Sequence, residues 1–220
     1  MDVGLLPVKD PARAKRRLSP AFNDRERSAI AQALFDDALS LCGRVERVHW
    51  WVVSDDAAIR ATARAAGLGV LEDAGGGLNT ALRLALDTPA VAQADSVVIV
   101  PADIPLATEA EMTDLLDTAE ISDVVVVPSA RDGGTNGLCM RPPGVIGPSF
   151  GPASLDAHLR SGREASLRCS ILELPGLGLD IDQVEDVATF LQDPAAPATA
   201  TGRLLAGLEP RLGRPSSGRG

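Results

Sequence analysis

Lys9 and Lys15 are the only lysines among 21 basic residues, and both lie in the segment 5–18. Everywhere else the chain uses arginine. A lysine ammonium is a compact point charge on a flexible stem, suited to phosphate, where arginine imposes a planar fork. Lys9, Lys15 and Arg17 therefore read as a triphosphate clamp on a loop after a first strand over 3–8. A basic, solvated loop before a helix would show the same residues. A second candidate follows the run Ser96-Val97-Val98-Ile99-Val100. Its consecutive Val and Ile residues predict a strand buried on both faces. Pro101 ends that strand and Asp103 follows. A carboxylate at the carboxyl end of a buried strand sits where open α/β sheets bind ligands. It suits Mg²⁺, which takes one or two carboxylates and completes its shell with substrate phosphates. An Asp here also serves to cap the next helix. A third cluster is Asp180-Ile181-Asp182 with Glu185 and Asp186. Part of it reads as compensation of a helix dipole. The sharper reading pairs Asp182 with Asp103 on one metal ion.

These residues need a scaffold, and the pattern supplies one. Strands are expected over 3–8, 48–53, 68–71, 96–100 and 123–128. Helices are expected over 24–42, 57–66, 79–86 and 108–119. The alternation predicts a three-layer α/β/α fold with a mostly parallel, Rossmann-like sheet. Loops at the strand ends then gather Lys9 to Arg17, Ser54 to Asp56, Gly75 to Asn79, Asp103 and Asp182. Gly75-Gly76-Gly77 precedes Asn79 at a helix start and allows close backbone approach to a base or ribose. After Pro128 the rhythm changes to a turn-rich loop, a short extended piece over 138–141, a helix opening near Ser154 with Ser154 as its N-cap, a strand over 170–174 and a last helix over 184–191. Residues 1–193 are expected to form one domain. Residues 194–220, rich in Pro, Ala, Thr and Gly, are expected to be a mobile tail without a catalytic role, in which Leu204, Leu205 and Leu208 allow one weak helical turn or two.

Composition narrows the class. The net charge is −9, which argues against a nucleic-acid-binding surface. No apolar run approaches the ~20 residues that span a bilayer, and no leader pattern precedes the first strand. Cys42, Cys139 and Cys169 are widely spaced, as expected for thiols in a reducing cytoplasm. His49 and His158 lack metal-ligand spacing and read as structural or surface residues.

The motifs also resemble those of a known family. They are Pro7-Val8-Lys9 with Lys15-x-Arg17-Leu18, Val53-Ser54-Asp55-Asp56, Gly77-Leu78-Asn79, Pro101-Ala102-Asp103-Ile104-Pro105, Gly134-Thr135-Asn136-Gly137-Leu138, Phe150-Gly151-Pro152-Ala153-Ser154 and Leu179-Asp180-Ile181-Asp182-x-x-Glu185-Asp186. Over about residues 3–192 the chain resembles the 2-phospho-L-lactate and phosphoenolpyruvate guanylyltransferases of coenzyme F-420 biosynthesis. It departs from them in Ala102, where a glycine is usual. The resemblance implies a GT-A-like nucleotidyltransferase fold. It also implies GTP and a phosphorylated three-carbon acid as substrates, with Mg²⁺ on Asp103 and Asp182. Pro7, Lys9, Ser54, Asp55, Gly77 and Asn79 are then expected at the nucleotide, with Lys9, Lys15, Arg17 and Asp103 at the reaction. Thr135, Gly151 and Ser154 are expected at the acid. Phosphoenolpyruvate is the expected acceptor and 2-phospho-L-lactate the alternative. Other readings are a nucleotidyltransferase acting on a sugar phosphate or molybdopterin, and a nucleotide-binding module without chemistry. A homodimer is compatible with the sequence, and the product would pass to a downstream deazaflavin transferase.

Overall fold

The computed structural model describes residues 1–131 and 133–208. Seven strands form one sheet: β1 (Asp2–Pro7), β2 (Val48–Ser54), β3 (Gly69–Glu72), β4 (Ser96–Ile99), β5 (Val124–Pro128), β6 (Thr135–Met140) and β7 (Cys169–Ile171). Their order is β3-β2-β1-β4-β6-β5-β7. Every strand runs parallel except β6, which pairs antiparallel with both β4 and β5. The nine helices of the described residues are α1 (Asp24–Arg44), α2 (Ala57–Ala65), α3 (Leu78–Leu86), α4 (Pro89–Ala92), α5 (Glu109–Thr118), α6 (Ser154–Glu164), α7 (Pro175–Gly178), α8 (Val184–Leu191) and α9 (Ala200–Ala206). None is long and apolar enough to cross a membrane.

Two apolar layers sandwich the sheet, and the two-residue period of a strand explains which residue joins which. Val98 pairs with the layer of Phe35, Ile59, Met112 and Leu115 from α1, α2 and α5. Val97 and Ile99 join the opposite layer with Leu82 and Ala85 of α3. All three strand residues are fully buried, as the run of Val and Ile predicts. The start of α1 is a capping box between Asn23 and Glu26. The helix continues through Gly43 rather than stopping there.

The expected mobile tail is corrected over its first part. Ala196–Ala198 forms a 3-10 turn, and α9 packs on α1. Leu205 and Ala196 enter a third apolar cluster with Ile30, Leu34, Val187 and Phe190. Asp37 of α1 accepts hydrogen bonds from the Ala200 and Thr201 amides at 2.6 and 2.9 Å. Apolar contact together with a capped helix start outweighs the low-complexity composition. The rest of the expected tail, 209–220, lies outside the described residues.

Candidate active site

The loop after β1 is shaped by its anchors. Asp10 accepts from the Ala12 amide at 2.8 Å, and Leu18 is buried in the third cluster. Between them Lys15 adopts a left-handed backbone, with φ at 54°. The turn sends its side chain inward, where only 9% stays exposed. Its ammonium donates to Asp103 Oδ2 at 2.5 Å and lies 3.8 Å from Asp182 Oδ1. Arg17 donates to Asp182 Oδ2 at 2.7 Å. The two carboxylates are brought together by the backbone, since the Ile181 amide donates to the Asp103 carbonyl at 2.9 Å. Ile181 is fully buried, so the segment carrying Asp182 is pinned beside the end of β4. Asp186 accepts from the Asp182 and Gln183 amides at 2.9 and 2.6 Å. Its carboxylate caps α8, the structural role the acidic cluster allowed.

A cavity of about 480 Å³ opens over this cluster, lined by Pro7, Lys9, Arg13, Lys15, Arg17, Leu34, Asp73, Leu78, Asp103 and Asp182 among others. It unites Pro7, both lysines, Arg17 and the two aspartates in one place. Ser54, Asp55, Gly77 and Asn79 do not line it. Ser54 is buried and its hydroxyl accepts from the Asp56 amide at 3.2 Å. Asp55 is exposed. Gly77 sits at the N-cap of α3 with φ at 91°, a conformation that favours glycine. The Asn79 amide is committed to Phe150: Nδ2 donates to its carbonyl at 2.9 Å, and Oδ1 accepts from its amide at 2.7 Å. Asn79 therefore ties α3 to the loop before α6, which the sequence does not announce.

Thr135, Gly151 and Ser154 form a separate group. Ile99 of β4 pairs with Leu138 of antiparallel β6, so Thr135, the first residue of β6, falls at the edge where Asp103 lies. The expected N-cap at Ser154 is corrected. Ala153 occupies that position with φ at 55°, and no side chain caps the helix. Ser154 is the first helical residue, 1% exposed, and its hydroxyl donates to Thr135 Oγ1 at 3.0 Å. The helix start also keeps fewer open amides than the four an α-helix ordinarily leaves. The Ser154 amide donates to the Gly151 carbonyl and the Leu155 amide to the Gly133 carbonyl. The exposed Gly151, with φ at 133°, leaves backbone open beside this group.

Comparison with known proteins decides the family. The model of the guanylyl transferase CofC-like family matches residues 2–194. This chain belongs to that family. A CofC-like relative from Methanothermobacter thermautotrophicus, named 2-phospho-L-lactate guanylyltransferase, is 38% identical over 85% of this chain and 82% of its own. A relative from Phenylobacterium zucineum, named 3-phospho-D-glycerate guanylyltransferase, is 33% identical over 91% and 94%. One from Rubrobacter xylanophilus, named phosphoenolpyruvate guanylyltransferase, is 32% identical over 84% and 90%. Among solved structures, a Desulfovibrio desulfuricans protein described as a nucleotide-diphospho-sugar transferase superposes with a TM-score of 0.79 at 18% identity, covering 96% of each chain. Rv0371c of Mycobacterium tuberculosis, solved in complex with manganese, gives 0.51 at 18% identity, covering 86% and 96%. The CofC-like chain is thus a nucleotidyltransferase with the fold its strand pattern predicts.

Four more residues lie near the site of this CofC-like chain, and two of them, Arg13 and Asp73, escape sequence reasoning. Arg13 and Asp73 line the cavity. Asp180 accepts from Ser129 and Asn136 at 3.1 and 3.0 Å, and lies 3.6 Å from Arg131. Burial, and after it the neighbouring charge of Asp103, raises its carboxyl above the usual range. The fourth, His158, is structural as expected, and fully buried. Its Nδ1 lies 3.1 Å from Thr135 Oγ1, and its Nε2 accepts from the Ser149 amide at 2.9 Å. Burial lowers its pKa from 6.5 to about 4. The unfolded chain therefore takes up this proton first as pH falls. The contribution is complete above pH 6.5 and is lost on descent to about pH 4. Urea denaturation at pH 7 and 4.5 should show the wild type losing roughly 2 kcal/mol more than His158→Phe. Equal losses would show that another group carries the acid sensitivity.

Proposed function

We propose that this protein joins GMP from GTP to phosphoenolpyruvate with release of pyrophosphate, a step in coenzyme F-420 biosynthesis in the cytoplasm. The observation that carries the reading is the Lys15 ammonium held between Asp103 and Asp182 at a cavity lined by Lys9, Arg13 and Arg17. Two facing carboxylates that already accept one cation suit a divalent ion of hard-oxygen preference, and Mg²⁺ is the ion of choice. Among the described residues no group of three or more His, Cys, Asp or Glu could hold a metal. The pair therefore fits an ion whose remaining ligands come from the triphosphate. When bound, Mg²⁺ would supply charge neutralisation on the phosphates.

The reaction itself asks for positioning. An acceptor phosphate oxygen forms a bond to the α-phosphorus of GTP as the bond to the β-phosphate oxygen breaks in line. The electron pair leaves with pyrophosphate. No general base is needed, because the attacking phosphate is already anionic. Lys9, Lys15 and Arg17 offset the charge that grows on the leaving group, and such preorganised cations are the main catalytic resource for phosphoryl chemistry. The acid is placed at Thr135, Gly151 and Ser154, on the same sheet edge.

The relatives named for 2-phospho-L-lactate and 3-phospho-D-glycerate favour those acids as second and third acceptors. Pyrophosphate release measured with GTP, ATP and CTP against the three acids tests the reading. GTP with phosphoenolpyruvate should give the largest kcat/KM. Comparable use of all three nucleotides, or a larger kcat/KM with another acid, would overturn the corresponding half of it.

A further inference from the structure

Thr135, Ser154 and His158 carry a proton arrangement with a direction. The Ser149 amide is a donor and nothing else, and it points at His158 Nε2 at 2.9 Å. That nitrogen must offer its lone pair. A neutral imidazole has one N–H, which is then on Nδ1. Nδ1 lies 3.1 Å from Thr135 Oγ1, so the threonine oxygen accepts there. Ser154 Oγ donates to the same oxygen at 3.0 Å. A hydroxyl has two acceptor sites and one proton. Both acceptor sites of Thr135 are filled from inside the protein, and only its proton remains. Among the described residues no protein acceptor takes it. Turning the imidazole over would lose both bonds, because a ring carbon would take the place of each nitrogen. The imidazole is fully buried and held edge-on by the Phe150 ring, with centroids 5.2 Å apart.

We propose that His158 is a positioning residue that makes the Thr135 hydroxyl a one-way hydrogen-bond donor to an anionic oxygen of the acceptor substrate. The proposal rests on placing the acid at Thr135. A hydroxyl free to rotate would serve a donor or an acceptor equally. One whose oxygen is already saturated rewards only a ligand lone pair, as on a phosphate or carboxylate. His158 never touches the substrate and acts through Thr135.

Steady-state kinetics with phosphoenolpyruvate test it. Thr135→Val and His158→Phe should each raise KM for the acid roughly tenfold, the cost of one hydrogen bond to a charged group, with KM for GTP little changed. The double variant should be no worse than Thr135→Val alone, because both remove the same interaction. His158→Asn, which can return an N–H near the place of Nδ1, should recover most of the loss. If Thr135→Val leaves the acid's KM unchanged, the placement of the acceptor fails. If Thr135→Val raises it and His158→Phe does not, that placement stands and the positioning role falls. A purely structural histidine would lower Tm in His158→Phe and leave both KM values unchanged, which also overturns the proposal. ¹⁵N spectra of the wild-type imidazole give a test independent of any variant's folding. A proton on Nδ1 and a bare Nε2 at pH 7 support the assignment. The opposite tautomer or an imidazolium refutes it.

Discussion

Asp103→Asn should leave the protein folded and lower guanylyl transfer by about three orders of magnitude or more. The substitution keeps shape and volume. The bond that positions the neighbouring segment uses the Asp103 backbone carbonyl, which accepts from the Ile181 amide, so Asp182 stays in place. What disappears is one of the two charges that face Lys15. If that pair also holds the divalent ion, its loss removes several kcal/mol of charge stabilisation from the transition state, and each 1.36 kcal/mol is tenfold in rate. Pyrophosphate release at millimolar Mg²⁺ and a thermal melt check both halves. Near-normal turnover in a folded variant would remove Asp103 from the reaction.

Cutting the chain after Asp193 should be nearly as damaging, through a different route. Leu205 is fully buried against Ile30, Leu34, Val187 and Phe190. Deleting it together with Ala196 opens the third cluster to water and leaves Asp37 without the two amides it binds. A buried leucine removed from a core costs about 2–5 kcal/mol, and the truncation removes more than one such contact. Leu34 belongs to that cluster and also lines the cavity. The shortened protein should therefore show a lower Tm and a raised KM for GTP. Leu205→Asp, which leaves the chain length unchanged, should reproduce both effects more mildly. A truncated protein with unaltered Tm would show that α9 contributes nothing to the fold.

The residues that sequence reasoning found easily share one property: their meaning is local. Four apolar residues before Pro101 announce a buried strand, and Asp103 follows within a few positions. The lysine pair stands out by residue type alone. What stayed hidden depends on partners far along the chain. Asn79 looks free until the fold brings Phe150 to it, 71 positions later. Ser154 looks like a cap because serine favours that place. The turn instead puts Ala153 in the left-handed region, which sequence preference argues against, and buries the serine against Thr135. The helix over 200–206 shows in the sequence only as a weak turn or two around Leu204, Leu205 and Leu208, because its Ala, Thr and Gly content resembles a linker. Thr199, whose hydroxyl accepts from the Gly202 amide at 2.8 Å, was the available sign.

The antiparallel strand β6 has a consequence for how such a molecule could be re-engineered. Strands β5 and β6 form a hairpin, and its turn lies at the edge that carries Asp103. A hairpin takes its register from the type and length of its turn, whereas a parallel strand depends on a crossover connection for its placement. The segment 129–134 is therefore a graft point. A turn of the same length that keeps Ser129 and Arg131 beside Asp180 can be spliced there while β1, β2, β4 and the lysine loop keep their alignment. Chimeras that exchange only this turn between relatives would test whether the choice of acid changes while the use of the nucleotide does not.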